Sequence, residues 1–342
     1  MAEIRYNKSI VKNINESLIR KAIQGEEAFT KTKIARDTGL SFPTVSRILD
    51  EMAHSSEILS NGVDQTTGGR HAQSYVINPA FAYVLCLYMP TNTSLRALII
   101  NSLGDRVKSN DIEETVSPEN FIEVLDGVIA KEMEDYPIRA LSLGLPYGIS
   151  YGKLMFGTGE TGLRNYDLQQ HLEEKFGIKA RIENDMNAIA TGCYERTFQE
   201  DFRSLACVSM GVRGCGCGLY LRGHLIRGNH GFAGELRYLP MGEDFNLDKE
   251  YQTELWESVS AIRVAQIVAS ICCTVDPQMI VFYDRMNIRE IMPEVRELCK
   301  RFLPEEVIPE LVVSDKIRED FENGLIRFGR DMLMAGYEIV NR

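Results

Sequence analysis

Apolar residues recur at helical spacing from the start of the chain. In residues 8–24 (KSIVKNINESLIRKAIQ), Ile10, Val11, Ile14, Leu18, Ile19 and Ile23 follow a 3.6-residue repeat and predict an amphipathic helix. A second short helix is expected over 31–38 and a third over 43–53, separated by Gly39-Leu40-Ser41. Ser41 is a suitable N-cap, and Pro43 is tolerated in a first helical turn. The pattern then becomes extended: 57–60 reads as a strand, Gly62, Gly68 and Gly69 as turn residues, and 74–77 as the return strand.

From Phe81 onward strands and helices alternate. Strands are expected at 81–88, 95–100 and just after Gly104-Asp105, then a helix at 118–134 and a strand at 140–145. A helix at 167–176, a short strand at 180–182 and a helix at 187–196 follow. A second round starts with a strand pair at 204–210 and 218–221. It continues with helix 254–273, strand 279–282, helix 288–302, strand 311–313 and helix 319–339. Two successive βββαβα-like halves fit an α/β fold of the duplicated, bilobal actin-like or ribonuclease-H-like type, with a cleft between lobes. The expected division is a head over 1–79 and a two-lobed body over 80–342. The long helices at 254–273 and 319–339 are candidates either for a dimer surface or for buried core.

Spacing in the head has a physical meaning. Ala35 is small enough to let two helices cross closely, Gly39 can adopt positive φ in a tight turn, and Val45 packs the later helix back on the earlier one. Such a helix-turn-helix sets its second helix in the DNA major groove. Ser41, Phe42, Thr44, Ser46 and Arg47 would then face DNA, with Arg47 the best donor to guanine or phosphate. The glycine-rich hairpin reads as a wing, with Arg70 and His71 near its tip, placed to touch a phosphate or the minor groove. A small helical domain for protein contacts is the alternative, and it leaves the capped helix and wing unexplained.

Charge looks contrary to DNA binding until it is divided. The 342-residue chain has a net charge of −11, but residues 1–79 hold 10 Lys+Arg against 9 Asp+Glu, and the remainder 28 against 40. The acidity belongs to the body. No run of about 18 apolar residues exists to span a membrane, and no secretory signal is evident, so a cytoplasmic protein is expected. The eight cysteines lack the spacing of a disulfide framework and read as reduced thiols.

Three ordered motifs carry further information: Gly144-Leu-Pro-Tyr-Gly148, Glu183-Asn-Asp-Met-Asn-Ala188 and Gly228-Asn-His-Gly-Phe-Ala-Gly-Glu235. Together with the head and Gly68-Gly69-Arg70, this pattern resembles the ROK family of repressors, open reading frames and sugar kinases, in its repressor branch, over about residues 8–340. The resemblance implies a bilobal kinase-like fold, a homodimer or homotetramer, and a sugar ligand. It implies that Asn184 and Asp185 hydrogen-bond sugar hydroxyls, and that Glu235 contacts the sugar. In kinases of the family the aspartate matching Asp185 also serves as general base. Read from the residues alone, Asn-Asp at a strand-to-helix junction is as well explained by an N-cap.

The chain departs from the kinase pattern in three places. The expected Asp-Gly-Gly-Thr turn is replaced by Met89-Pro-Thr-Asn-Thr93, without glycine or carboxylate, and Pro90 has no N–H. The second phosphate loop reads Gly211-Val-Arg-Gly-Cys-Gly-Cys-Gly218, with Val212 and Arg213 where a small hydroxyl residue is expected. A later Gly-Gly is replaced by Tyr283-Asp284. The family zinc site is also missing: Tyr238 stands at the histidine position, and 239–256 contains neither Cys nor His. Tyr238 would replace the histidine as a sugar contact or fill the pocket, and Glu254 and Glu257 are both candidates for a further family glutamate. The expectation is a sugar-responsive regulator of transcription, a repressor, with operator DNA and a sugar as partners. No metal, no cofactor and no catalysis are expected. The alternatives are an active sugar kinase with a DNA-binding head and a regulator whose ligand site has degenerated.

Overall fold

A computed structural model describes residues 8–64, 72–156, 163–198, 203–211, 214–240, 247, 259–284 and 287–334. The head contains α1 (Lys8–Ile23), β1 (Phe29–Thr30), α2 (Lys31–Thr38), α3 (Phe42–His54), β2 (Ile58–Asp64) and β3 (Ala72–Ile77). Its sheet order is β1-β3-β2, all antiparallel, which is the winged helix-turn-helix arrangement. Caps define the helices. Thr30 Oγ1 accepts from the Lys33 N–H at 3.2 Å, Gly39 closes α2 at φ 68°, and Ser41 Oγ accepts from the Thr44 N–H at 3.4 Å. Ile19, Ile34, Val45, Ile48, Leu49, Ile58 and Tyr75 pack into one core. Strand β1 was not foreseen, because two residues are too few to show an alternation. It exists because Phe29 and Thr30 pair with Tyr75 and Ser74.

The body contains β4 (Tyr83–Thr91), β5 (Ser94–Ile100), β6 (Arg106–Asp111), α4 (Phe121–Asp135), β7 (Ile138–Leu145), β8 (Gly148–Ser150), β9 (Lys153–Phe156), α5 (Leu168–Phe176), β10 (Lys179–Asn184) and α6 (Asp185–Thr197). It continues with β11 (Leu205–Gly211), β12 (Gly214–Leu221), β13 (His224–Ile226), α7 (Ala261–Val275), β14 (Met279–Tyr283), α8 (Ile288–Cys299), β15 (Glu310–Ser314) and α9 (Ile317–Met334).

The duplication is visible in the pairing. One five-stranded sheet has the order β10-β7-β4-β5-β6, and the other β13-β12-β11-β14-β15. Numbered within each half, both run fifth, fourth, first, second, third. In both, the first three strands are antiparallel and the last two join in parallel. Central strands are covered on both faces, so Val84–Met89 is a continuous apolar run rather than an alternation.

Helices α6 and α9 cross between the sheets, at a core shared by Val84, Cys86 and Tyr88 from one sheet and Leu205, Cys207 and Tyr283 from the other. The crossing is close: a Cβ on Gly192 would lie 1.9 Å from the Asp320 carbonyl oxygen, and one on Gly324 1.9 Å from that of Ala188. Two buried carboxylates on α9 are paired, Asp320 across the crossing and Glu322 with the first sheet. Asp320 accepts from Arg196 at 2.7 and 2.9 Å and from the Tyr283 hydroxyl at 2.8 Å. Glu322 accepts from the Tyr88 hydroxyl at 2.7 Å, from Arg318 at 3.2 Å and from Arg106.

Some expected boundaries are corrected. The helix expected from 254 starts at Ala261 among the described residues. Val259 is held ahead of it by Asn287, which accepts from its N–H at 2.6 Å and donates to its carbonyl at 3.2 Å. The last helix starts at Ile317 rather than 319, and the helix expected to reach 302 ends at Cys299. The β8–β9 hairpin and β13 were missed, being three or four residues each. The larger part of α7, and the α6-facing side of α9, face the core. No described helix is long and apolar enough to cross a membrane. The cysteines are free thiols, seven of them buried.

Candidate functional site

Strand β10 runs directly into α6, so Asn184 and Asp185 sit at a strand-to-helix junction. Asn184 is the N-cap: its Oδ1 accepts from the Met186 N–H at 2.9 Å and the Asn187 N–H at 3.2 Å, and its Nδ2 donates to the Tyr147 carbonyl at 3.1 Å. Asp185 occupies the first helical turn, where the positive helix end favours a carboxylate, and its Oδ1 accepts from the Met186 N–H at 2.8 Å.

Glu235 arrives from the other lobe. It follows Gly234, whose φ is 89° and whose Cβ position lies 1.9 Å from the Cys217 carbonyl oxygen, so no other residue fits there. Asn184, Asp185 and Glu235 come together on the wall of a cleft of about 350 Å³ between the lobes. Burial first, and the nearby Asp185 charge second, push the Glu235 carboxyl up to about 7, against the opposing pull of Arg237. At neutral pH Glu235 is therefore poised to donate or accept a hydrogen bond, while Asp185 offers an acceptor. That pair suits vicinal hydroxyls.

Tyr238 lies elsewhere. It is on the 3₁₀ turn Leu236–Tyr238, is 40% exposed, packs on the Phe232 ring at 5.1 Å, and does not line the cleft. Arg237 does line it, and sequence reasoning passed over it. The signal was present: Arg237 is the only cation within a few residues of Glu235.

The segments that depart from the kinase pattern make local contacts of their own among the described residues. Thr91 pairs with Ser94 across a two-residue turn, and their hydroxyls bond to each other at 2.6 Å. Gly216 and Gly218 have a packing cause: a Cβ on Gly218 would lie 2.1 Å from the Met186 carbonyl oxygen, and one on Gly216 2.9 Å from Met186 Cγ. Val212 and Arg213 lie outside the described residues. The Tyr283 ring is 1% exposed and bonded to Asp320, and the Asp284 carboxylate is taken by Arg289 at 2.6 Å.

The described residues do not assemble a zinc site either. Cys215 and Cys217 are buried in β12, where burial raises both thiols, Cys217 to about 12. Among the described residues no cluster of three metal-ligating groups occurs. Glu254 and Glu257 lie outside them.

The outer face of α3 carries Phe42, 51% exposed, with Ser46, Arg47, Asp50 and Glu51. Arg47 donates to Glu51 at 2.7 Å, Ser46 lies between Lys31 (3.0 Å) and Asp50 (3.2 Å), and Ser41 and Thr44 share a 2.8 Å hydroxyl contact. Arg70 and His71 lie outside the described residues.

Residues 91–247 match the model of the ROK family. The chain is 26% identical over 250 residues to the xylose repressor of Bacillus spizizenii, covering 70% of this chain and 63% of that protein. It is 23% identical over 153 residues to the glucokinase of Streptomyces coelicolor, covering 44% and 48%. The chain thus spans under two thirds of the length of these relatives. A solved ROK family transcriptional regulator, a homologue of the Escherichia coli MLC protein, superposes with a TM-score of 0.69 at 15% identity. That match covers 95% of this chain and 98% of the other. The ROK glucokinase of Streptomyces griseus, solved with glucose and AMPPNP, superposes at 0.56 and 14% identity, covering 73% and 99%. At such identities the superpositions establish the fold alone. Residues 91–247 of this chain thus carry a ROK family domain.

Proposed function

We propose that the chain is a sugar-responsive transcriptional repressor that acts in the cytoplasm as a homodimer or homotetramer. Residues 1–79 bind double-stranded operator DNA, through Ser41, Phe42, Thr44, Ser46 and Arg47 on α3 and Arg70 on the wing. Residues 80–342 bind a sugar at Asp185 and Glu235, with Asn184 capping the helix that carries Asp185, and transfer no phosphoryl group. The observation that carries this reading is the combination in one chain of a capped, outward-facing α3 with a cleft in which Asp185 and Glu235 meet. The cleft volume suits a monosaccharide. Relatives named as xylose repressors make D-xylose the first ligand to try.

The glucokinase relatives favour a second reading, an active kinase. Against it stand the turn without carboxylate, the packing role of Gly216 and Gly218, and the buried Tyr283 ring.

Thermal unfolding of the full chain with D-xylose, other sugars and ATP·Mg²⁺ separates the readings. A ligand at a hundred times its Kd adds about 2.7 kcal/mol of stability. The expected result is a shift with a sugar, none with ATP, and release of operator DNA by the same sugar in a mobility-shift experiment. A shift with ATP and turnover in a coupled assay would establish the kinase instead.

A further inference from the structure

The two carboxylates of the cleft come from different lobes, Asp185 at the end of β10 and Glu235 beyond β13. Something must fix their spacing. Glu183, 2% exposed, lies one residue before the Asn184 cap. Its Oε1 accepts from Asn187 Nδ2 at 2.9 Å and from the Asn184 N–H at 3.3 Å, which ties it to the first turn of α6. Its Oε2 accepts from Arg227 Nε at 2.8 Å and Nη2 at 2.6 Å, with Arg181 at 3.6 Å.

Arg227 belongs to the other lobe, immediately after β13. Its carbonyl accepts from the Ala233 N–H at 3.1 Å, and so closes the loop that ends at Glu235. The same loop touches the first lobe again at Gly231, where a Cβ would lie 1.9 Å from the Ile149 carbonyl oxygen in β8. One buried glutamate is therefore bonded on one oxygen to the helix bearing Asp185, and on the other to the loop bearing Glu235.

We propose that the Glu183–Arg227 pair is an interlobe clasp that positions the 228–235 loop, and with it Glu235, against the N-terminus of α6. This deepens the sugar-site reading and rests on it only for the identity of the ligand. Two guanidinium nitrogens converge on one carboxylate oxygen while the other oxygen is tied to α6, so the pair restrains the direction of Arg227 as well as its distance and can hold the loop in register. Arg227 and Glu183 touch no ligand in this scheme; they are positioning residues.

The test begins without ligand. Amide hydrogen exchange is compared in the full-length wild type, Glu183→Gln, Arg227→Met and Arg227→Lys. Glu183→Gln keeps the shape of the buried side chain and guards against simple misfolding. The expected result is faster exchange, by about tenfold, in peptides covering 228–236 and 184–190 in Glu183→Gln and Arg227→Met. Strands β4 and β11 stay protected, and Arg227→Lys recovers part of the protection. Unchanged protection in both segments overturns the clasp. So does uniform loss over the chain, or an Arg227→Lys variant no better than Arg227→Met.

Calorimetry with D-xylose then reads the consequence. Arg227→Met is expected to weaken binding about tenfold, and undiminished affinity with a loosened loop overturns the positioning role. A wild type that binds no sugar sinks the functional reading, while the exchange result still decides the clasp.

Discussion

Among single residues, Glu235 has the clearest chemical consequence. Its pKa of about 7 lies above the ordinary glutamate value near 4.5, because burial and the Asp185 charge on α6 disfavour ionisation more than Arg237 on the following turn assists it. Between those two pH values the folded chain holds a proton that the unfolded chain has released. Stability from this group is full below about pH 4.5 and falls as pH rises through about 7. Glu235→Gln should therefore remove a pH-dependent loss of about 1–3 kcal/mol. The variant should melt higher than wild type at pH 8 and alike at pH 5, as thermal unfolding at the two pH values will show. Higher stability of the wild type at pH 8 would refute the assignment. Asn184 teaches the complementary lesson. Its side chain already spends its oxygen on two backbone N–H groups and its nitrogen on a carbonyl, so the cap accounts for it before any sugar does.

At the level of elements, the α6–α9 crossing is the most demanding contact in the body. A methyl group on Gly192 would meet the Asp320 carbonyl at 1.9 Å and the Gly324 nitrogen at 2.8 Å, which is backbone and cannot turn aside. Gly192→Ala should lower stability by about 1–3 kcal/mol or more, and an unchanged melting temperature would show that the helices do not approach so closely.

Much of the element order was legible in the sequence because long periodic segments bury a defined face: α1, α3, β4 and β5 all fall within a few residues of the expectation. What was not legible follows from length and from distance along the chain. Strands β1, β8, β9 and β13 are two to four residues long and are defined by their partners, not by their own pattern. The start of α7 depends on Asn287, 28 residues away from Val259. The candidate site was legible as residue types, since Asp185 and Glu235 do meet. Tyr238 and Arg237 are adjacent in sequence, however, and only the 3₁₀ turn Leu236–Tyr238 decides which of them lines the cleft.

For the whole molecule, the division of charge and the paired surface of the head shape how it would meet DNA. Arg47 is held by Glu51, which also pairs with Lys12 at 2.9 Å, so binding must exchange one partner for another. Arg47→Ala is expected to weaken operator binding by about 1–3 kcal/mol. Titrations at several salt concentrations will tell its role. A shallower salt slope marks a phosphate contact, relaxed sequence preference marks a base contact, and unaltered binding removes Arg47 from the interface.

The glycines behind the cleft bear on how such chains are classified. Gly216 and Gly218 keep the spacing of a phosphate loop, yet both pack on Met186 of the helix behind the strand, Gly218 against its carbonyl oxygen and Gly216 against its side chain. That steric demand persists whether or not a nucleotide ever binds. A motif search that counts glycines is therefore measuring how closely a helix approaches a sheet. Under the repressor reading proposed above, the first turn of the body, where this chain has Pro90, Thr91 and Asn92 and no carboxylate, is the more telling segment.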